Sequence, residues 1–333
     1  MKAALIAQDF APVTALKLIQ SELIRRGVKT ASCFGNTSGS LISYNNDAIA
    51  HTVKRSDLVI LGMSSTPELA RGEIFAAEVA VRSGIPFGFY TDTWDCSSRE
   101  WFRDVRPFTA FLFVVNESEG KKSKALFPNV GKNIFVCGNP LWESSRFVSL
   151  SRDDRRKALG LHDADKVVFS PLSKFFDVNK EILEGQQLLI EKFGLIGLIS
   201  FHPRDETKKS RYHPLLLKGK VDIRDELSRE IVAASDLLLN STSTVGIEAV
   251  MQHIPVLEVL GPRISEVRRR IYPNGWRLPL EYPHLVKEAC VEKLAEKAKS
   301  LLKTEIRWNG VVGEPPTASA TICMADAIIG FLS

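Results

Sequence analysis

Short apolar runs alternate with stretches of helical periodicity along the chain, and this alternation limits the possible folds more than any other feature. In the first half, two such runs lie on either side of a stretch with apolar residues at helical spacing, namely Leu58–Leu61, Phe87–Tyr90, Ala70, Ile74 and Ala77. Strands joined by crossover helices pair in parallel, so the pattern predicts an α/β protein. Because the chain has 333 residues, of which 44% are hydrophobic, we expect two domains of roughly 150 residues each.

The alternation of strands and helices is interrupted near the middle of the chain. Turn residues at Gly138-Asn139-Pro140 precede a charged run at 149–156, which is typical of a linker. We therefore predict Rossmann-like domains over residues 1–145 and 146–333, facing each other across a cleft, with the alternative that the last helix packs back on the first domain. The predicted strands are Ala3–Ala7, Lys29–Phe34, Leu58–Leu61, Phe87–Tyr90, Phe111–Val115, Ile134–Cys137, Val167–Ser170, Ile196–Phe201, Val221–Ile223, Leu237–Asn240 and Val256–Val259. The predicted helices are Val13–Arg26, Glu68–Arg82, Lys180–Phe193, Glu226–Ala234, Val245–Gln252, Val291–Leu302 and Ala318–Leu332.

The composition argues against several classes of protein. No stretch reaches the roughly 18 consecutive apolar residues of a membrane span. A net charge of +5 without a face rich in arginine and aromatic residues argues against a nucleic-acid partner. The five cysteines are scattered and contain no CxxC pair, which favours reduced thiols and no bound metal. We expect a cytoplasmic protein, and the segments 100–113 and 263–277 leave a peripheral contact with the inner membrane face open.

A hydroxyl-rich turn follows the predicted strand Leu237–Asn240. Its four small polar residues stand where a helix begins, so their hydroxyls and the first N–H groups of the helix are suited to hold a phosphate. Glu248 follows about one and a half turns into the helix, within reach of ribose hydroxyls. An N-cap with a capping-box glutamate is the alternative. The candidate phosphate-binding residues are Ser241, Thr242, Ser243 and Thr244.

A His-Pro-Arg turn follows another predicted strand of the second half. Pro203 restricts this turn so that His202 and Arg204 project from the strand end, and both side chains can donate to an anion. Ser173 and Lys174 follow the first strand of the same half, and the carboxyl ends of parallel strands face one crevice. We therefore add all four polar residues to the candidate nucleotide site, with packed or solvated side chains as the alternative.

Three aspartates at strand ends of the first half are candidates for acid–base chemistry. Asp92 and Asp95 flank Trp94 directly after Phe87–Tyr90, and Asp9 follows the first strand. A carboxyl group in a partly closed site can have its pKa raised towards neutrality and then take a proton from a hydroxyl. Each aspartate can instead cap the helix that follows it.

Three of these motifs together resemble the GT-B superfamily, which comprises glycosyltransferases and non-hydrolysing UDP-N-acetylglucosamine 2-epimerases. The likeness is carried by Gly138-Asn139-Pro140, Phe201-His202-Pro203 and the turn 241–249. The His-Pro turn with the Ser/Thr-rich turn is also similar to bacterial sialyltransferases, capsule polysaccharide transferases and teichoic-acid glycerophosphotransferases. In those enzymes the two turns bind the phosphate of the donor.

The resemblance implies roles for individual residues. It implies that His202, Ser243 and Thr244 contact the donor phosphate and that Glu248 lies near the ribose. It also implies a catalytic base from the first domain, with Asp92 or Asp95 as the candidates, Asp9 being the rival from the first strand. Basic residues and the helix dipole offset the charge of the leaving phosphate, so no metal is implied.

The function implied by the resemblance is that of a metal-independent glycosyltransferase without a cofactor. It would move a sugar from a UDP- or CMP-linked donor to a hydroxyl acceptor, either a glycan or a lipid-linked molecule, in polysaccharide or glycoconjugate biosynthesis. The chain lacks the Ser-Gly-Gly turn of the 2-epimerases and their paired acidic and histidine motifs. A 2-epimerase or hydrolase of the same nucleotide-sugar and a non-catalytic nucleotide-binding scaffold are the alternatives. The sequence leaves the base, the sugar, the acceptor and the oligomeric state open.

Overall fold

A computed structural model describes eight stretches of the chain. They are residues 1–35, 45–144, 151–202, 211–216, 221–224, 228–271, 285–303 and 319–332. The chain divides into two compact units: unit 1 is Met1–Glu143 with Pro315–Ser333, and unit 2 is Ser144–Glu314. None of the described helices is long and apolar enough to cross a membrane.

Strands and helices alternate in both units. The strands are β1 (Lys2–Ala7), β2 (Lys29–Phe34), β3 (Leu58–Leu61), β4 (Phe87–Tyr90), β5 (Phe111–Val114), β6 (Ile134–Val136), β7 (Val167–Pro171), β8 (Ile196–Ser200), β9 (Val221–Ile223), β10 (Leu237–Asn240), β11 (Val256–Leu260) and β12 (Val286–Cys290). The helices are α1 (Phe10–Arg25), α2 (Asn46–Lys54), α3 (Pro67–Ser83), α4 (Glu117–Leu126), α5 (Pro140–Ser144), α6 (Arg152–Ala158), α7 (Phe176–Phe193), α8 (His213–Leu216), α9 (Ser228–Ala234), α10 (Val245–Met251), α11 (Pro262–Ile271), α12 (Val291–Leu302) and α13 (Ala320–Leu332).

Unit 1 is built on a parallel sheet of six strands in the order β2-β1-β3-β4-β5-β6. Successive residues of β1 are buried on opposite faces, because side chains of a strand alternate. Ile6 packs in a cluster with α2 and α3, whereas Leu5 packs with α1 and α13 through Leu16 and Met324. Burial on both faces explains why these strands are continuous apolar runs.

Unit 2 is built on a second parallel sheet, in the order β12-β11-β10-β7-β8-β9. One face carries α7, α11 and α12, through residues such as Ile182, Ile264 and Leu294. The other face carries α9 and α10, through Ile231 and Ala249. Each unit therefore has its own core on both sides of its sheet.

The predicted strands agree with the structure to within one residue at either end. α1 and α7 begin a turn or so earlier than predicted, since α1 starts at Phe10, directly after its N-cap Asp9, and α7 starts at Phe176. The charged run that we interpreted as linker contains α6, whose N-cap Ser151 accepts a hydrogen bond from the Asp154 N–H. This helix was not predicted, because the run has no apolar face at helical spacing.

Other elements were not predicted. The sequence interpretation of His213-Pro214 as loop was wrong, because a short helical turn, α8, begins at His213. β12 was missed because its apolar pattern is weak: only Val286 and Ala289 are buried, and the strand lies at a sheet edge. α2 and α4 were also missed, since they carry few apolar residues on one face.

The expectation that all five cysteines are reduced was also wrong. Cys137 and Cys323 form a disulfide, with Cα atoms 5.5 Å apart and a sequence separation of 186. The bond joins the end of β6 to α13 within unit 1. The free thiols are Cys33, Cys96 and Cys290.

Candidate functional site

Each sheet has one position where the order of its strands reverses. In unit 1 the reversal lies between β1 and β3, and in unit 2 it lies between β7 and β10. Connections leave such neighbouring strands in opposite directions, which opens a crevice at their carboxyl ends where ligands bind in open α/β sheets. The predicted residues Asp9, Ser173 and Ser241–Thr244 follow strands at these two reversals, and His202 follows the neighbouring β8.

Asp92 and Arg99 form an ion pair at the carboxyl edge of the unit 1 sheet. Arg99 Nη1 lies 3.8 Å from Asp92 Oδ1, and the same guanidinium donates to the Met63 carbonyl after β3. The buried Cys96 thiol donates to Asp92 Oδ1 at 3.1 Å. Burial raises the pKa of Asp92, and the charge of Asp9 adds to this rise, although Arg99 opposes it.

Asp9 is held in place by hydrogen bonds. Its Oδ1 accepts from the Phe10 N–H at 2.8 Å, which caps α1. Its Oδ2 accepts from the Ser65 N–H at 3.2 Å and from the Ser65 hydroxyl. The structure thus brings two of the three predicted aspartates together. We call Asp9, Asp92 and Arg99 the edge cluster.

Glu73 is buried in α3 beneath the edge cluster. Its carboxylate accepts from the Ser64 hydroxyl at 2.7 Å, from the Ser64 N–H at 3.1 Å and from the Gln8 N–H at 3.2 Å. Burial raises the pKa of Glu73 to about 7, because loss of solvation outweighs these three donors and the nearby Arg99. Sequence reasoning missed Glu73, although a glutamate between Ala70 and Ala77 on an apolar helix face was a signal.

Asp95 contacts α4 instead of the edge cluster. Lys122 Nζ donates to Asp95 Oδ1 at 3.0 Å and to Glu119 at 2.8 Å, and the Asp95 N–H donates to Glu119 at 2.9 Å. The backbone of Asp95 has a φ of 57°, a region that non-glycine residues rarely adopt. Burial raises the pKa of Glu119. The predicted pair Asp92 and Asp95 is therefore divided between two environments.

The hydroxyl-rich turn of unit 2 is anchored by a buried ionic network. Glu258 on β11 accepts from the Asn240 side chain at 2.7 Å and from Arg268 on α11. Asn240 Nδ2 also donates to the Ser243 carbonyl at 3.0 Å, and Arg268 Nε donates to the Ser241 carbonyl at 2.8 Å. We call Asn240, Glu258 and Arg268 the anchor network.

The anchor network determines which groups the turn presents. A trans peptide places its C=O and the following N–H on opposite sides. Because the carbonyls of Ser241 and Ser243 point to the anchor network, the N–H groups of Thr242 and Thr244 point away from it. Thr244 is exposed, and Ser243 Oγ accepts from the Val245 N–H at 3.2 Å at the start of α10. The turn thus presents donors suited to an anion, whereas Ser241 itself is buried.

The remaining predicted residues differ in their surroundings. The Ser173 hydroxyl and N–H both contact the Asn179 side chain, at 3.1 and 2.7 Å, so Ser173 stabilises the start of α7. Lys174 is exposed, with Nζ 5.2 Å from the centre of the Phe175 ring. His202 and Glu248 are half-buried. Arg204 lies outside the described residues.

The basic run of α11 does not form one solvated face. Arg268 is buried in the anchor network, whereas Arg269 and Arg270 are exposed. Glu288 on β12 accepts from Arg268 at 2.8 Å. Residues 272–277 of the predicted basic segment lie outside the described residues. The sequence signal for the network was the charged Glu258 within an apolar strand.

The chain matches no protein-family model and no curated protein. Its structure is similar to the UDP-GlcNAc 2-epimerase from Methanocaldococcus jannaschii, with a TM-score of 0.68, 15% identity and coverage of 100% of both chains. The UDP-GlcNAc 2-epimerase from Neisseria meningitidis bound to UDP-GlcNAc has a TM-score of 0.67 and 14% identity, over 99% of this chain and 100% of that chain. HepE of Anabaena in complex with UDP has a TM-score of 0.56 and 13% identity, over 99% of this chain and 94% of that chain. These likenesses confirm the predicted fold: two Rossmann-like α/β domains of the GT-B type.

Proposed function

We propose that this protein is an enzyme that binds a UDP-linked sugar and acts on the sugar without an acceptor, by epimerisation or hydrolysis. The observation that carries the proposal is the anchored turn Ser241–Thr244 at the strand reversal of unit 2. Solved structures of the same fold support the choice of ligand, since two are UDP-GlcNAc 2-epimerases and a third has UDP bound.

In this proposal unit 2 binds the nucleotide. The outward N–H groups of Thr242 and Thr244 and the nearby hydroxyls donate to the diphosphate, and His202 after β8 adds a further donor. These groups are already oriented before binding, because the anchor network holds the backbone. Glu248 accepts from the ribose hydroxyls.

Asp92 supplies the acid–base chemistry in this proposal. Epimerisation removes a proton from a sugar carbon and returns one, and hydrolysis of the bond to the diphosphate moves a proton from water. A carboxyl group whose pKa is raised by burial exchanges protons more readily near neutral pH than an ordinary aspartate. Arg99 keeps the ionised form of Asp92 accessible, because it lies beside that carboxylate.

Transfer of the sugar to a hydroxyl acceptor is the second candidate. It is favoured by the turn itself, which has Ser243-Thr244 where the 2-epimerases have Ser-Gly-Gly. In that reaction Asp92 would take the proton of the acceptor hydroxyl. The two candidates differ in whether UDP is released from the nucleotide-sugar, or the sugar is altered, when no acceptor is present.

The test combines binding and turnover. Thermal unfolding is measured with UDP, CMP, GDP and their sugar conjugates, and ¹H NMR then follows UDP-N-acetylglucosamine incubated with the protein in D₂O. A ligand at about 100 times its Kd stabilises the folded state by about 2.7 kcal/mol. We expect a shift with uridine nucleotides, and turnover that falls at least about 100-fold in Asp92→Asn while UDP still binds. Asp104→Asn, an aspartate with 91% of its side chain exposed, is the matched control.

Each outcome bears on a separate part of the proposal. If none of the nucleotides shifts the unfolding temperature, the nucleotide site is refuted. If uridine nucleotides bind but the sugar is unchanged until a hydroxyl acceptor is added, transfer replaces epimerisation and hydrolysis. If Asp92→Asn keeps the wild-type rate, the role of Asp92 is refuted.

A further inference from the structure

Glu73 joins two loops of unit 1 that are far apart in sequence. Gln8, after β1, donates its N–H to the Glu73 carboxylate across 65 positions of sequence. Ser64, after β3, donates both its N–H and its hydroxyl. One buried carboxylate therefore accepts from the loops that follow both strands bordering the strand reversal.

The loop after β3 in turn holds each member of the edge cluster. The Ser64 hydroxyl accepts from the Asp9 N–H at 3.1 Å, and Ser65 donates to the Asp9 carboxylate. The Met63 carbonyl accepts from Arg99, which pairs with Asp92. Movement of this loop would thus displace Asp9 directly and Asp92 through Arg99.

We propose that Glu73 is a positioning residue that holds the loop 62–65, and through Ser64 and Met63 sets the placement of Asp9 and Arg99 beside Asp92. The part of this inference that concerns turnover rests on the proposed function. Glu73 touches none of the reacting groups in that scheme, so its action is through the loop.

The proton on Glu73 changes the hydrogen bonds of the loop. The ionised carboxylate accepts all three bonds, whereas the protonated acid has an O–H that can donate to Ser64 Oγ. Ser64 Oγ then accepts from Glu73, and its own hydrogen has to turn elsewhere. Because Ser64 Oγ also accepts from the Asp9 N–H, protonation of Glu73 is transmitted to Asp9.

Arg99 is the charged group that acts on Glu73 from the segments packed against α3, and it favours the ionised form. The other charged side chains on those segments are Lys2 of β1, which is half-buried at the start of the strand, and the exposed Asp47, His51 and Lys54 of α2 and Glu100 after β4. The pKa of Asp92 is also raised, but the Gln8 and Ser64 N–H groups donate to Glu73. A transition that these two amides share and that Glu73→Gln removes is therefore assigned to Glu73.

The decisive experiment is a pH titration of backbone amides by ¹⁵N TROSY NMR on the full chain. In the wild type, we expect the amide signals of Gln8, Asp9 and Ser64 to move together with a midpoint of about 7. In Glu73→Gln the common midpoint is expected to vanish. Glu78→Gln, on the same helix with 49% of its side chain exposed, should behave as the wild type.

Ser64→Ala separates positioning from a general role in folding. This variant keeps Glu73 and the Gln8 N–H bond but removes the hydroxyl that leads to Asp9. We expect the Gln8 amide to keep its transition, with a higher midpoint because Glu73 loses one donor, and the Asp9 amide to lose the transition. It also provides the test if Glu73→Gln fails to fold.

Turnover of UDP-N-acetylglucosamine is measured on the same variants. We expect kcat to fall at least about 10-fold in Glu73→Gln, with KM within about 2-fold, because misplaced acid–base groups slow the chemical step more than binding. The inference is overturned if the wild-type amides show no common transition or if the transition persists in Glu73→Gln. It is also overturned if the amide signal of Asp9 still shows the transition in Ser64→Ala. If the wild type shows no turnover, the proposed function is refuted. The positioning role of Glu73 is still tested in that case, because the amide titration does not depend on turnover.

Discussion

Buried ionisable side chains lie beneath both strand-end clusters. Glu73 supports the loops of unit 1, and Glu258 with Arg268 supports the hydroxyl-rich turn of unit 2. Removing such groups from water costs free energy, which is offset only where they are hydrogen-bonded or paired. These residues therefore stabilise particular loop conformations more than they stabilise the fold as a whole.

Glu73 makes the stability of unit 1 depend on pH. Its pKa is raised from 4.5 to about 7, so its contribution to stability is complete below about pH 4.5 and is lost as the pH rises through about 7. The loss is on the order of 3 kcal/mol, at about 1.4 kcal/mol per pKa unit. Urea unfolding should show that the free-energy difference between wild type and Glu73→Gln shrinks by this order from pH 5 to pH 8. A constant difference across this range would contradict the assignment, and Glu78→Gln is the control.

Arg268 and Arg269 are neighbours with opposite surroundings. Arg268→Met leaves the fully buried Glu258 carboxylate without its cation, so we expect a loss of about 3–5 kcal/mol. Arg269→Met changes an exposed side chain and should cost about 0.5 kcal/mol or less. Urea unfolding of both variants measures the difference. Equal losses of stability in the two variants would mean that the positive charge of α11 stabilises the protein and that the ion pair of Arg268 with Glu258 does not.

At the scale of elements, α13 completes the core of unit 1. Its residues Ala320, Met324 and Ile328 are buried in the same cluster as Leu16 and Ile19 of α1. Glu143, at the end of the unit's first segment, accepts from the Ser319 hydroxyl at 2.9 Å and from the Ala320 N–H, which caps the helix. Unit 1 is therefore assembled from two segments that are distant in sequence.

Two isoleucines of α13 test this contribution. Ile328 is 0% exposed and Ile322 is 41% exposed. Ile328→Asp places a charge in the core, so we expect a loss of more than about 3 kcal/mol and a clearly lower Tm. Ile322→Asp should change stability by less than about 1 kcal/mol. Similar Tm values for the two variants would show that α13 is dispensable for the core.

At the scale of the whole molecule, the disulfide ties the ends of a very long loop. Cys137 and Cys323 belong to unit 1, and the intervening segment includes unit 2. A crosslink between distant positions stabilises the folded state mainly by restricting the unfolded chain. It adds to the packing and capping that hold α13 in place.

Thiol counting checks this bond. Denatured protein without reductant should react at three thiols, Cys33, Cys96 and Cys290, and reduced protein at five. We expect Cys323→Ser to lower the free energy of unfolding by about 2–4 kcal/mol. Cys290→Ser, which alters a free thiol, should have a much smaller effect. Five reactive thiols in unreduced protein would refute the disulfide.

Much of the candidate site was predictable because its residues follow strands. Asp9 and Asp92 come directly after β1 and shortly after β4, so strand ends alone placed them at one sheet edge. Glu73 was not predictable in its role, because its partners Gln8 and Ser64 lie in loops that only the folded sheet brings together. The sequence also did not show that Asp95 pairs with Lys122 while Asp92 pairs with Arg99, because only the folded chain brings these partners together.

The sequence by itself determined the parallel sheets, the bounds of most strands and the hydroxyl-rich turn after β10. These features depend on local periodicity and on apolar burial, which neighbouring residues encode. Only the tertiary structure decided the Cys137–Cys323 bond, the place of α13 in unit 1 and the pairing of Arg268 with Glu258. The residues in these contacts are brought together by the order of the strands and the packing of the helices. No local pattern in the sequence shows that they are neighbours.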